Sequence, residues 1–214
     1  MPSFRSLAFT AVILTASSAS AQTNVANYNL NPLSRAYASD SGNFSSRPSG
    51  AIDGNTNGLY LFDGTFYHSG TTAGGVQLVS AANPWWIVDL GADYDVSKLV
   101  FFYRTDCCGT QNDGDVLRLW ASTPDFSSPA SALFSQTLNY TGALSDTFIL
   151  STPLTARYAS IQADEGGAIV FPELQVFGVE TAVVATPEPA SLALLATGLA
   201  GLAGVARRKK RTEA

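Results

Sequence analysis

Residues 85–103 read WWIVDLGADYDVSKLVFFY, and this stretch decides the fold class. Residues 86–90 and 98–103 are short runs of branched and aromatic side chains, the composition of strands. Gly91-Ala92-Asp93 between them reads as turn punctuation. The same grammar continues downstream. Residues 116–120, 147–150, 158–162 and 174–177 read as further strands, separated by Asn112-Asp113-Gly114 and Ser151-Thr152-Pro153. No helical period persists between residues 22 and 180, and no internal repeat is present. Many short strands at this spacing predict an all-β fold, an antiparallel β-sandwich or jelly roll.

Outward from this core, both ends of the chain read as addresses. Residues 1–21 carry Arg5, an apolar run over 7–14, and Ala19-Ser20-Ala21, the layout of a secretory signal peptide. At the other end, Pro187-Glu188-Pro189 precedes residues 190–206, which carry no charge. Arg207, Arg208, Lys209, Lys210 and Arg211 follow. The apolar run is at the short end of the roughly 17–25 residues that a transmembrane helix needs. The basic cluster after it should stay cytoplasmic. The expected organisation is a signal peptide over 1–21, a domain over 22–180 and a linker over 181–189. A transmembrane helix over 190–206 and a basic tail over 207–214 complete it.

This tail resembles the PEP-CTERM sorting signal of Gram-negative bacteria. The resemblance implies transient anchoring in the inner membrane, cleavage near the motif by an exosortase-type enzyme, and delivery to the cell envelope or extracellular matrix. A permanent single-span anchor is the plainer reading of the same layout.

Residues 22–180 hold six cations, Arg35, Arg47, Lys98, Arg104, Arg118 and Arg157, against fifteen acids, a net charge of −9. So acidic a domain argues against nucleic acid as a partner. It suits a hard cation such as Ca²⁺ better. Asp53-Gly54-Asn55-Thr56-Asn57-Gly58 places short oxygen-bearing side chains two apart, between permissive glycines. An ordinary Asx-turn would use the same residues. His68 is the only histidine, so no Ser-His-Asp or multi-histidine constellation can be assembled, and the chain is not expected to be an enzyme.

The only cysteines, Cys107 and Cys108, are adjacent within Arg104-Thr105-Asp106-Cys107-Cys108-Gly109. A bond between neighbours closes almost no loop, so it removes almost no entropy from the unfolded chain. Bonded or free, the pair is an apolar bump beside an Arg and an Asp, which reads as part of a binding surface.

Taken in order, these segments resemble the F-type lectins, or fucolectins, within the wider discoidin-like, galactose-binding-domain superfamily. The matching elements are Asn24-Val25-Ala26, Ala51-Ile52-Asp53-Gly54-Asn55, the run from Asn83 to Gly91, the Arg-x-Asp-Cys-Cys-Gly run from Arg104 to Gly109, and Ala156-Arg157-Tyr158. The resemblance implies a jelly roll that holds L-fucose or a related terminal sugar in loops at one end. It implies His68 and Arg104 as polar contacts, Asp106 as the buttress of Arg104, and a Cys107–Cys108 disulfide that packs on the sugar. A second cation is expected at position 111, where this chain has Gln111. The segment after His68 is longer than the family's and reads as a flexible loop over 69–82. The resemblance also implies a structural Ca²⁺ held by side chains of Asp53, Asn55, Thr65 and Glu173 and by carbonyls of Gly50 and Pro172. The expected function is a calcium-stabilised, glycan-binding lectin-like module. A structural or adhesion protein that has lost the sugar site is the alternative, motivated by Gln111.

Overall fold

The computed structural model describes residues 22–40, 45–60, 63–73, 76–78, 83–163 and 167–181. The expected signal peptide, the Pro187-Glu188-Pro189 motif, the span over 190–206 and the basic tail lie outside the described residues. Among the described residues, no helix is long and apolar enough to cross a membrane.

Eleven strands follow in order: β1 Thr23–Asn24, β2 Arg35–Ala38, β3 Tyr67–His68, β4 Thr71–Ala73, β5 Val76–Leu78, β6 Trp85–Phe102, β7 Val116–Trp120, β8 Phe134–Thr137, β9 Ser145–Gln162, β10 Val170–Phe171 and β11 Leu174–Glu180. Three short 3-10 turns, Pro48–Ile52, Gly109–Asn112 and Pro129–Ser131, interrupt them. All pairings are antiparallel.

The expectation of two strands within residues 86–103 is corrected: they form one strand of 18 residues, β6. Gly91 does not turn the chain. It sits in a bulge at φ +84, and a Cβ there would meet Leu33 Cβ at 2.5 Å, so glycine is required twice over. β9 is likewise one strand of 18 residues. Its Ser151-Thr152-Pro153, read as a turn, lies where the register with β6 shifts between Leu154 and Ile149. Proline is tolerated there because no ladder hydrogen bond is asked of it.

These two long strands build both layers. Near one end, β2, the Trp85–Asp89 part of β6, the Tyr158–Gln162 part of β9, β7 and β8 lie side by side. Beyond the bulge, β1, β11, the rest of β6 and the start of β9 form the second layer. Facing layers make an antiparallel β-sandwich.

The side chains of β6 show how the core stays continuous. Trp86, Val88, Leu90, Tyr94 and Val96 are buried, then Leu99, Phe101 and Tyr103. The change from even to odd positions falls at the second register shift, between Val96 and Lys98. One extra residue there returns the apolar side chains to the inner face. Between the layers, Phe171 meets Trp86 edge-on at 5.1 Å and Phe101 at 5.1 Å. Asp89 takes a fork from Arg157, 2.9 Å from Nε and 3.1 Å from Nη2, which ties β6 to β9 at the bulge.

Candidate functional site

The polar contacts expected from the sequence converge on an aromatic ring that the sequence did not single out, Tyr60. The Arg104 guanidinium lies 4.6 Å from the Tyr60 centroid. The His68 ring meets the same ring edge-on, centroids 6.1 Å apart. Arg104 Nε donates to Asp106 Oδ1 at 2.7 Å and Nη2 to Oδ2 at 3.3 Å, so Asp106 fixes the guanidinium plane. That fork holds the Asp106 carboxyl below its usual range. The loop is docked by Thr105, whose N–H donates to the Gly58 carbonyl at 2.8 Å.

His68 sits on β3, opposite Val170 of β10, and is 3% exposed. Its Nδ1 donates to the Ser69 carbonyl at 2.8 Å, because a carbonyl can only accept. That bond fixes the ring. Burial, aided by the Arg104 charge, pushes its pKa down, so the ring is neutral near pH 7. A neutral ring with Nδ1–H presents Nε2 as an acceptor, suited to a hydroxyl donor.

Cys107 and Cys108 are side by side, exposed, and carry free thiols in this structure. The expected disulfide is therefore not formed here. The Cys108 thiol hydrogen-bonds the Cys107 thiol and raises its pKa. Cys108 adopts φ +56, and its carbonyl accepts from the Gln111 N–H at 3.0 Å, opening the turn Gly109–Asn112. Gly109 lies against the Tyr140 ring, where a Cβ would come within 2.5 Å of Cε1. Gln111 Oε1 is buried with no hydrogen-bond partner. The segment after His68, read as a flexible loop, contains the hairpin β4–β5, with Thr71 opposite Leu78.

The second cluster surrounds Glu173, which is fully buried. Its Oε2 accepts the Gly54 N–H at 3.2 Å, while Oε1 has no partner. Burial, with repulsion from Asp53, pushes its pKa up to about 9. Burial also raises the Asp53 carboxyl, and Asp63 adds to that rise. Asn55 Nδ2 donates to Thr65 Oγ1 at 2.8 Å, which brings the Asp53 loop against the Asp63 loop. Two dehydrated carboxylates that repel one another, one with an orphaned oxygen, are what a hard cation would relieve. The donors Asp53, Asn55, Thr65 and Glu173, with the Gly50 and Pro172 carbonyls, are all oxygens and fit calcium by type. No group of three or more His, Cys, Asp or Glu able to hold a metal occurs among the described residues.

Sequence reasoning missed Tyr60, Asp63 and Ser46. Tyr60 is buried, and its hydroxyl is pushed up to about 12 by burial, opposed by Arg104 and Ser46. It sits in the short apolar run 59–62, LYLF, which is too brief to show which ring faces a site. Ser46 Oγ both donates to the His68 carbonyl and accepts the His68 N–H, each at 3.1 Å. Asp63 accepts from Thr65 N and Oγ1, a local turn with an ordinary Asp-x-Thr signal.

A sandwich with its polar cluster on loops at one end is the architecture of a sugar-binding module. The family profile described as NedA-like, galactose-binding domain matches residues 50–161, and the chain belongs to that family. Residues 185–210 match the PEP-CTERM protein-sorting motif, so the protein is exported and sorted to the cell envelope. Fucolectin-6 of Anguilla japonica is 32% identical over 116 residues, 54% of this chain and 55% of that protein. Fucolectin of Anguilla anguilla is 41% identical over 69 residues, 32% of this chain and 37% of that protein. The chain thus spans about half or less of these relatives' length.

Among solved structures, the fucolectin of striped bass (Morone saxatilis) serum superposes with a TM-score of 0.59 at 24% identity, over 75% of this chain and 50% of that one. A Streptococcus pneumoniae fucose binding module gives 0.58 at 20%, over 73% and 96%. These likenesses establish the shared fold. The matched family is that of a galactose-binding domain.

Proposed function

We propose that the domain binds a terminal 6-deoxy sugar such as L-fucose, or a related glycan, in the loops bearing His68, Arg104, Asp106, Cys107, Cys108 and Gln111. The observation that carries this is the convergence of His68 and Arg104 on one ring, Tyr60, with Asp106 fixing the guanidinium beside the exposed cysteine pair. Arg104 supplies forked donors to ring and hydroxyl oxygens, and His68 Nε2 accepts from a hydroxyl. In an exported protein the two thiols oxidise to a vicinal disulfide, a stiff apolar face for the sugar. Calcium at Asp53, Asn55, Thr65 and Glu173 orders the loops on which the site rests.

In this reading residues 190–206 cross the inner membrane of a Gram-negative cell until an exosortase-type enzyme cuts near Pro187-Glu188-Pro189. Gln111 is the one observation that favours a structural or adhesion role, because it replaces a charge-assisted bond by a neutral one. Titration calorimetry of the chain against L-fucose and other monosaccharides separates the two. Heat from L-fucose that disappears in Arg104→Ala supports the lectin. A folded protein silent to every sugar, with surface adhesion unchanged in Arg104→Ala, establishes the structural role.

A further inference from the structure

A groove of about 480 Å³ lies between β2 and the turn Pro48–Ile52, and it shares no residue with the His68, Tyr60 and Arg104 cluster. This is within the range of sites that hold small ligands. Its lining includes Arg35, Arg47 and the half-buried Tyr28, with the buried Ile52 behind it.

The charges of these two arginines set them apart. Of the six cations in residues 22–180, the other four each face a partner. Lys98 lies over the Phe177 ring at 3.7 Å, Arg104 forks onto Asp106, Arg118 donates to Gln162 at 2.9 Å, and Arg157 forks onto Asp89. Arg35 and Arg47 are in no ion pair among the described residues. Arg35 is nevertheless held in place. Its Nη1 donates to the Ser34 carbonyl at 2.7 Å and also to the Pro32 carbonyl. That anchoring uses Nη1 alone and holds the side chain at the groove it lines. Arg47 acts on protein acids through space, opposing the rise of Asp53 and adding slightly to the lowering of Asp63. In a domain of net charge −9, two guanidinium groups outside any ion pair among the described residues, in one concavity, make a local attraction for anions on a surface that otherwise repels them.

We propose that this groove is a second glycan subsite, which takes a sugar unit bearing an acidic group, a carboxylate or a sulfate ester. Arg35 and Arg47 grip the acidic group with forked donors, and Tyr28 packs against the ring. Binding through these charges is weakened by salt. The domain then holds an acidic polysaccharide at one point and a terminal sugar at another, and two weak contacts on one polymer reinforce each other.

The test titrates the full chain with trigalacturonate, with a sulphated dextran oligosaccharide, and with neutral dextran of the same length. At least one acidic oligomer binds, and the neutral one does not. Which acid binds more tightly distinguishes carboxylate from sulfate. Arg35→Gln and Arg47→Gln each weaken binding about tenfold or more, the cost of one charge-assisted contact. Ser49→Trp, which fills the groove without changing its charge, blocks binding. Unchanged melting midpoints in the Gln variants show that the fold is intact. Failure of both acidic oligomers to bind overturns the proposal, as does equal affinity in the Arg35→Gln, Arg47→Gln double variant. Loss of the L-fucose response alone leaves this readout untouched, because the two sites share no residue.

Discussion

Arg104 and His68 lie 36 positions apart in the chain yet share the Tyr60 ring, Arg104 at 4.6 Å from its centroid and His68 edge-on at 6.1 Å. Tyr60 therefore sets their spacing. Arg104→Ala is expected to cost about 1.5–3 kcal/mol of sugar binding, a ten- to hundredfold loss. Tyr60→Leu keeps both polar groups but frees their positions, so its loss is smaller. Calorimetry on both variants checks the order; a Tyr60→Leu loss exceeding that of Arg104→Ala would contradict it.

Glu173 makes stability, and with it the proposed calcium site, depend on pH. Its pKa is about 9 in the fold against an ordinary 4.5, so the folded state keeps a proton that the unfolded chain releases. Stability without metal therefore falls as pH rises from about 4.5 to 9. Calcium bound as proposed would displace that proton, so calcium affinity should rise across the same window. At one hundred times its Kd, calcium adds about 2.7 kcal/mol. Melting curves with calcium and with a chelator at several pH values read this directly. Glu173→Gln should remove both the pH slope and the calcium gain.

Oxidation of the cysteine pair should change binding without changing stability. Both residues are exposed, and a bond between neighbours closes no appreciable loop. Intact mass of the exported protein should rise by two hydrogens on reduction, with no dimer split. Cys107→Ser with Cys108→Ser should keep the melting midpoint and lose sugar affinity. A large drop in midpoint would show that the pair is structural.

Gly109→Ala should loosen the same turn from the other side. A Cβ would come within 2.5 Å of the Tyr140 ring, which itself packs on Tyr103 at 5.2 Å. The cost expected is about 1–3 kcal/mol. Chemical denaturation gives the stability, and calorimetry shows whether the displaced turn also weakens the sugar.

Replacing Pro187-Glu188-Pro189 by alanines should leave residues 190–214 attached. Intact mass of the protein recovered from the envelope distinguishes a retained tail from a trimmed one. Identical masses for wild type and variant would remove the motif from the processing step.

Some of this was readable in the order of residues and some was not. The Arg104 to Gly109 run and the Asp53 loop are local, so chemistry and spacing exposed them. The sandwich was legible because strand composition is local too. That residues 85–102 are one strand was not, because Gly91 serves a bulge as readily as a turn, and only the Leu33 backbone and side chain packed against it decide which. The strands β3 and β10 are two residues long and cannot show alternation. Tyr60 and Ser46 act through contacts made at a distance in the chain, and no neighbour in sequence announces them.

β11 starts beside Phe101, next to the loop that carries Arg104, and ends at Glu180 beside Tyr94, at the opposite end of the sandwich. The chain therefore leaves the domain at the pole away from the candidate sugar site. A glycan that pulls on the Arg104 loop while the chain is held beyond Glu180 drags β6 and β11 in opposite directions along their length. The seven residue pairs from Leu174–Phe101 to Glu180–Tyr94 then take the load together rather than one after another. Under such a load the β6–β11 pair would bear tension in shear, the geometry that resists unzipping.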